Sequence, residues 1–211
     1  MEWIIQLPIL FFSVVVHEIA HGLVAYEKGD DTAEAAGRLT LNPIPHIDPF
    51  GTVFLPVFCY LLRLPMFAWA KPVPVNSSRL RRPRRDLIQV ALIGPGVNLF
   101  LSLVAAVLFK LAAAMSFLST GFLETVLNAL IFAVSINLFL AFFNLIPIHP
   151  LDGSQVLSGL LPLSLRRRYN RHAPYGMLII VLLMMTKLLY PLVIIPSQFA
   201  LSLYSRAGLL W

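Results

Sequence analysis

Charged residues are scarce in this chain of 211 residues: 12% are Asp, Glu, Lys or Arg, whereas 58% are hydrophobic. Such a composition leaves too little polar surface for a soluble domain, so it predicts a protein that lies in a bilayer. Cysteine is nearly absent, and the single Cys59 excludes an internal disulfide. The net charge of +6 does not predict nucleic-acid binding, because the arginines concentrate in two runs beside apolar segments, 79–85 and 166–171.

Long apolar stretches are what the sequence has in abundance. Four of them predict transmembrane helices, at 3–26, 87–109, 122–146 and 174–195, since about 20 residues of helix cross the hydrocarbon core. The sequence therefore predicts an all-α polytopic membrane protein, formed by a single domain at 1–211. Lys187 lies in the last of these spans and is expected to snorkel or to face protein.

The arginine runs predict which side of the membrane each loop occupies. Both are expected in the cytoplasm, because basic residues are retained there, and the loop 147–153 is then cytoplasmic too. A complete crossing at 50–69 would break this pattern, so we expect a re-entrant or surface element there. The alternative is five or six crossings, with 50–69 paired with the apolar tail 200–211.

Two proline-rich linkers, 37–51 and 70–83, alternate polar and apolar residues. This pattern predicts short membrane-associated β-strands better than helix. The second linker contains Pro72-Val73-Pro74-Val75, and an extended edge there could hold an unwound substrate by strand addition.

The most informative motif is His17-Glu18-Ile19-Ala20-His21, an H-E-x-x-H pattern within the first apolar stretch. On a helix, residues four apart share one face, so both imidazoles can reach one metal ion. Two His and one Glu are costly to bury in a bilayer, and such residues are by default functional and partnered. Two His and one carboxylate are an established ligand set for catalytic zinc, so the motif predicts a Zn²⁺ site.

A third ligand must come from elsewhere in the chain. Asp152 is the better candidate, because the span before it ends on the side of the membrane that His17 and His21 reach, whereas Glu124 lies near the opposite end. Prolines interrupt the helix before Asp152, and Gly153 permits a tight turn. His149 is the next candidate, and the residues more simply explained as turn caps or water-facing groups are His46, Asp48 and His172.

H-E-x-x-H in the first helix, followed late in the chain by Asn144-Leu145-Ile146-Pro147-Ile148-His149-Pro150-Leu151-Asp152-Gly153, resembles the site-2 protease family of intramembrane metalloproteases. Shorter stretches, such as Trp69-Ala70-Lys71-Pro72-Val73-Pro74-Val75-Asn76 and Gly94-Pro95-Gly96-Val97-Asn98, resemble its short prokaryotic members, and no PDZ or CBS module is recognisable. The resemblance implies a multi-pass protein of a prokaryotic cell membrane, with its active site toward the cytoplasm and transmembrane proteins or peptides as substrates.

The resemblance also implies roles for individual residues. Zinc on His17, His21 and Asp152 would activate water, with Glu18 as general base, and Asn144 corresponds to the family's Asn and is a candidate oxyanion donor. Asn98 is more simply explained by helix packing than by substrate contact. A metal transporter and a noncatalytic membrane scaffold are the alternatives, although H-E-x-x-H supplies a non-ligating Glu suited to base catalysis.

Overall fold

Helices dominate the residues that the computed structural model describes, 3–54, 61, 71–115 and 120–210. A π-helical turn occurs at Pro49–Phe54, and 3-10 turns occur at Ile44–His46 and Asn170–Tyr175. The α-helices of the described residues are α1 (Trp3–Glu27), α2 (Thr32–Ala35), α3 (Pro83–Ala113), α4 (Thr120–Asn144), α5 (Asp152–Leu160), α6 (Leu163–Tyr169), α7 (Gly176–Met185) and α8 (Leu189–Arg206).

Three of these helices, α1, α3 and α4, are each long and apolar enough to cross a membrane. They confirm the first three predicted spans, although α3 begins earlier and ends later than the apolar stretch 87–109. Pro83 suits the first turn of α3, where a backbone N–H has no partner within the helix. Asp86 then accepts a hydrogen bond from the backbone N–H of Arg82 at 2.7 Å, which stabilises this start.

The fourth predicted span, 174–195, is not one straight helix. It contains α7 and the beginning of α8, and the helical region 163–185 meets α8 at an angle of 74°. At the break, Lys187 adopts a left-handed backbone conformation, with φ of 59°, which a right-handed helix cannot contain. The prediction of a continuous helix was therefore wrong at this point. With the bent pair counted as one span, the described residues contain up to four candidate membrane spans, judged by length and composition.

The two proline-rich linkers do not form the predicted strands in the part of the chain that the structure describes. Pro72 and Pro74 have no N–H group to donate to a neighbouring strand. The N–H groups of Val73 and Asn76 donate instead to the side-chain carboxylates of Glu18 and Asp30. Most of the segment 50–69 lies outside the described residues, so the predicted re-entrant element is untested there. The tail does not supply a separate crossing, because residues 200–206 belong to α8.

Helix α3 lies at the centre of the packing and contacts α1, α4 and α5, while α4 also contacts α8. Ala105 and Ala106 are buried against Val134 and Leu138, and such small residues let two helices approach closely in a bilayer. The arrangement brings the middle of α1, the first half of α3 and the beginning of α5 together.

The side chain of Arg84 joins the beginning of α3 to the end of α5. Its guanidinium donates to the carbonyl of Gly159 at 2.5 Å and to those of Leu160 and Leu161 at 2.9 and 2.8 Å. Because α6 follows directly and carries the second arginine run, the two basic runs lie at the same end of the helix bundle.

Candidate metal centre

Three side chains that the sequence singled out converge in the structure. The Nε2 atoms of His17 and His21 are 3.0 Å apart, and Oδ2 of Asp152 is 3.2 Å from the first and 3.3 Å from the second. All three residues are at least nine-tenths buried. They form a cluster that could hold a metal ion, as the motif predicted.

Local chain geometry explains why these side chains meet. The two histidines lie one turn apart on the same face of α1, and Asp152 is the first residue of α5, directly after the chain turns back from α4. The turn depends on Gly153, because a Cβ atom at that position would lie 2.1 Å from the carbonyl oxygen of Leu145. A larger residue would push the beginning of α5, and with it the Asp152 carboxylate, away from α1.

A second glycine makes room for the imidazoles. Gly94 of α3 faces both rings, and a Cβ atom built on it would lie 2.4 Å from Nε2 of His21 and 2.6 Å from Nε2 of His17. A real Cβ essentially never approaches another heavy atom this closely. The backbone of α3 therefore forms one wall of the candidate metal centre, and a side chain at position 94 would fill the space that the three ligand atoms face.

The opposite nitrogen of each ring is held by a hydrogen-bond acceptor. Nδ1 of His21 lies 2.6 Å from the carbonyl oxygen of Val90, and a carbonyl only accepts, so this nitrogen carries the proton. Nδ1 of His17 lies 2.5 Å from Oδ1 of Asn98. Metal-binding histidines commonly donate their second ring N–H in this way, which fixes the tautomer and the ring orientation.

The orientation of the Asn98 amide follows from its neighbours. Nδ2 of Asn137 donates to the carbonyl oxygen of Ala133 and to Oγ of Ser13, both at 2.9 Å, which leaves its Oδ1 as an acceptor. That oxygen accepts from Nδ2 of Asn98 at 2.8 Å, so Oδ1 of Asn98 faces His17. Ser13, Asn98 and Asn137 are at most 2% exposed. This buried chain of hydrogen bonds therefore assigns the Nδ1 proton to His17.

With both Nδ1 atoms protonated, three lone pairs point at one another. Nε2 of each neutral imidazole would then be an acceptor, as Oδ2 of Asp152 is, and among the described residues this Oδ2 has no hydrogen-bond donor. A metal ion between the three atoms would accept one lone pair from each of them. Ligand atoms about 2.0–2.1 Å from one tetrahedral zinc ion are about 3.3 Å from each other, which matches the three separations. The residues present therefore fit Zn²⁺.

Glu18, between the two histidines in sequence, does not join the cluster. Its Oε2 atom accepts a hydrogen bond from the backbone N–H of Val73 at 2.7 Å, and the residue is only partly buried. This arrangement is compatible with a base beside the metal. Asn144 is the last residue of α4, and its Nδ2 donates to the carbonyl oxygen of Leu140 at 2.9 Å.

The weaker ligand candidates of the sequence stand apart from the cluster. His149 pairs with Ser154 Oγ at 2.9 Å, His172 with the Tyr169 carbonyl at 2.5 Å, and His46 with the Thr40 carbonyl at 3.0 Å. Asp48 accepts from the Gly51 N–H at 2.7 Å, and Glu124 lines a separate cavity of about 620 Å³ between α1 and α4. None of these side chains belongs to the cluster of three ligand atoms found among the described residues, and His46, Asp48 and His172 contact nearby residues of their own loops.

Two contributors to this centre were not recognised from the sequence, Gly94 and the ring-orienting Asn98. They lie four residues apart and so share one face of α3, which was the available signal. Their role could not be inferred from the sequence because it depends on the packing of α3 against α1.

An apolar helix bundle whose first helix carries H-E-x-x-H, with a carboxylate brought to both histidines, defines the class of membrane zinc metalloproteases. The profile of Peptidase family M50, the site-2 protease family, matches residues 6–187, and the chain belongs to this family. Its cofactor is accordingly Zn²⁺.

Curated relatives support the same assignment. The "Putative zinc metalloprotease YwhC" of Bacillus subtilis (strain 168) is 38% identical over 180 residues, 85% of this chain and 79% of that protein. The "Putative zinc metalloprotease Rip2" of Mycolicibacterium smegmatis is 28% identical over 82% of this chain and 64% of its own length. Its namesake from Mycobacterium tuberculosis (H37Rv) is 30% identical over 69% of this chain and 52% of its own length. No solved structure gave a significant match.

Proposed function

We propose that this zinc metalloprotease hydrolyses peptide bonds within or beside the transmembrane segments of other proteins. His17, His21 and Asp152 hold the metal, and Glu18 acts as general base. The observation that carries the proposal is the convergence of three buried acceptor atoms, spaced 3.0 to 3.3 Å apart, two of which belong to a helix long and apolar enough to cross a membrane.

Zinc bound at this centre supplies a Lewis acid that lowers the pKa of water to about 7 and polarises a carbonyl group. The Glu18 carboxylate receives the proton of the attacking water and returns it to the leaving amine. Glu18 can act in this way because it flanks the three ligands without binding among them.

Asn144 is proposed to donate to the developing oxyanion. An amide has two N–H groups, and one of them donates to Leu140. The second N–H group of the amide can then donate to the substrate. An Asn144→Ala variant is expected to lower kcat by about 10²-fold, as loss of one oxyanion donor does elsewhere, whereas zinc content stays unchanged.

We place the centre toward the cytoplasmic side of a cell membrane. Both arginine runs lie at one end of the bundle, joined by Arg84, and basic residues favour the cytoplasm. His21 lies about 9 Å along α1 from Glu27, the residue that ends this helix near the same end of the bundle. Water can therefore reach the metal from the polar loops without crossing the bilayer.

The test compares Glu18→Gln with Glu27→Gln, a matched change at the exposed end of the same helix. Fluorescein-labelled casein in detergent micelles serves as the substrate, because its unfolded chain exposes peptide bonds directly. We expect Glu18→Gln to retain zinc and lose hydrolysis, and Glu27→Gln to keep both. Hydrolysis by Glu18→Gln at the wild-type rate would contradict the assignment of the base.

A cellular experiment addresses substrates and the alternatives together. Membrane protein fragments are compared by mass spectrometry between cells that express the wild type and cells that express Glu18→Gln. Fragments whose new termini fall within or beside apolar segments, and which require Glu18, would support intramembrane proteolysis. Identical fragment sets, with a cellular phenotype that Glu18→Gln still complements, would favour a scaffold or carrier.

A further inference from the structure

The extended segment 71–76 lies beside α1 and forms neither helix nor strand. Three acidic or basic side chains bind its backbone. Arg38 donates to the carbonyls of Lys71 at 2.7 Å and Pro72 at 3.2 Å. Asp30 accepts from the N–H of Asn76 at 2.6 Å. Between these two attachments, the N–H of Val73 donates to Glu18.

The hydrogen bonds from Arg38 and to Asp30 constrain the position of the segment strongly, because both side chains are buried. Arg38 is 6% exposed and Asp30 is fully buried, and a buried charge is tolerated only when hydrogen bonds satisfy it. The guanidinium also donates to the Pro45 carbonyl, and the Asp30 carboxylate also accepts from Thr32. Any shift of the segment would break these bonds in a place that water reaches poorly.

The side chain of Val73 fixes the distance between the segment and α1. Val73 is buried, and it packs on Gly22, where an added Cβ atom would lie 3.0 Å from Val73 Cγ1. Gly22 is one helical turn after Glu18 and shares its face. The close approach at Gly22 therefore places the Val73 N–H within hydrogen-bond reach of the Glu18 carboxylate.

We propose that the backbone N–H of Val73 positions the Glu18 carboxylate for catalysis, and that Arg38 and Asp30 are positioning residues that hold the segment carrying this N–H. The hydrogen bond holds Oε2 and leaves Oε1 as the atom that takes the proton from water. This inference rests on the proposed role of Glu18 as general base. Without the bond, the flexible glutamate side chain samples several rotamers and is less often in the reactive one.

The same contacts argue against strand addition along this segment. Pro72 and Pro74 have no N–H, and the N–H groups of Lys71, Val73 and Asn76 donate to His46, Glu18 and Asp30. Val75 is the remaining residue with an N–H. One donor does not make the ladder that a paired substrate strand needs.

The first experiment removes each N–H in turn and measures hydrolysis of labelled casein. Val73→Pro deletes the donor to Glu18, while the matched change Val75→Pro leaves it in place. We expect Val73→Pro to lower kcat by about 10²-fold, with KM and zinc content near the wild-type values, and Val75→Pro to alter none of them. Equal kcat values for the two variants, or a KM increase confined to Val75→Pro, would overturn the inference.

The second experiment does not depend on enzymatic activity. Hydrogen exchange of residues 71–76 is followed by mass spectrometry in the metal-free full chain, with Glu27→Ala as the control for Glu18→Ala. We expect Glu18→Ala to release one protected amide and Arg38→Met to accelerate exchange across the segment, whereas Glu27→Ala changes nothing. Wild-type protection in Glu18→Ala would refute the contact.

The two proposals fail in distinguishable ways. If Glu18→Gln hydrolyses casein normally, the base assignment fails whatever the exchange data show. If Glu18→Gln is inactive but Val73→Pro retains the wild-type kcat, the base assignment stands and the positioning role is wrong.

Discussion

Replacing Asn98 with Leu should weaken zinc binding without touching any proposed ligand. Oδ1 of Asn98 is the acceptor for the Nδ1–H of His17 at 2.5 Å, and the position is completely buried. Leucine fills a similar volume but accepts no hydrogen bond, so the imidazole N–H loses its partner and the ring loses its fixed orientation. Water cannot replace the amide oxygen at a site with no exposed surface.

The expected magnitude follows from two independent considerations. A buried donor left without an acceptor costs about 1–3 kcal/mol. Loss of a residue that orients a metal ligand typically weakens metal binding by about 10–100-fold, which corresponds to about 1.4–2.7 kcal/mol. We therefore expect the zinc dissociation constant of Asn98→Leu to rise by about 10–100-fold. Asn137→Leu, which removes the group that orients Asn98, should have a smaller effect.

The assay is competition with a fluorescent zinc chelator, using the purified full chain in detergent micelles. Asn128→Leu provides the matched control, because this exposed asparagine of α4 lines the cavity near Glu124, away from the metal centre. Zinc should also raise the thermal midpoint of Asn98→Leu less than that of the control, since ligand stabilisation follows affinity. Equal dissociation constants for the Asn98 and Asn128 variants would refute the argument from hydrogen bonding.

Gly94→Ala should abolish high-affinity zinc binding, because its Cβ would lie 2.4 Å from His21 Nε2; the same competition assay should find Gly96→Ala unchanged, since a Cβ there meets nothing within 4 Å. A wild-type zinc affinity for Gly94→Ala would show that the α3 backbone does not lie against the metal-binding space. The third prediction concerns acid. Burial alone would raise the pKa of Asp30, but hydrogen bonds from Thr32 and Asn76 outweigh it and hold this pKa below the ordinary value of an aspartate. The resulting stabilisation is present above about pH 4 and is lost as the pH falls through the lowered value. Acid unfolding of the full chain in micelles, followed by circular dichroism, should therefore be steeper below pH 4 than that of Asp30→Asn; identical curves would remove Asp30 from the acid response.

The first three membrane helices and the three converging residues were predictable because each depends on a strong local signal. Length and apolarity predict the spans, and the spacing of His17 and His21 places them on one helical face. Asp152 required more, since its choice over Glu124 used membrane topology and family resemblance. The structure brings Asp152 to the histidines and leaves Glu124 exposed.

Other features escaped prediction because they are tertiary. Segment 174–195 is apolar on both sides of Thr186 and Lys187, and a single lysine within a span does not by itself predict the break in the helix there. The linker around Val73 alternates like a strand, yet its backbone partners are side chains from elsewhere in the chain. Asn98 pairs with a residue 81 positions away, and only helix packing shows that contact.

The order of the helices along the chain has a consequence for biosynthesis. Helix α1 is synthesised before α3 and α4. The hydrogen-bond partners of His17 and Ser13, which are Asn98 and Asn137, therefore do not yet exist when α1 leaves the ribosome. Until then the most polar stretch of α1 has no protein partner in the bilayer, a state that is costly for such side chains. Asp152 is synthesised later still. The set of three candidate metal ligands is therefore incomplete until the last of the three has been made and the helices have packed together.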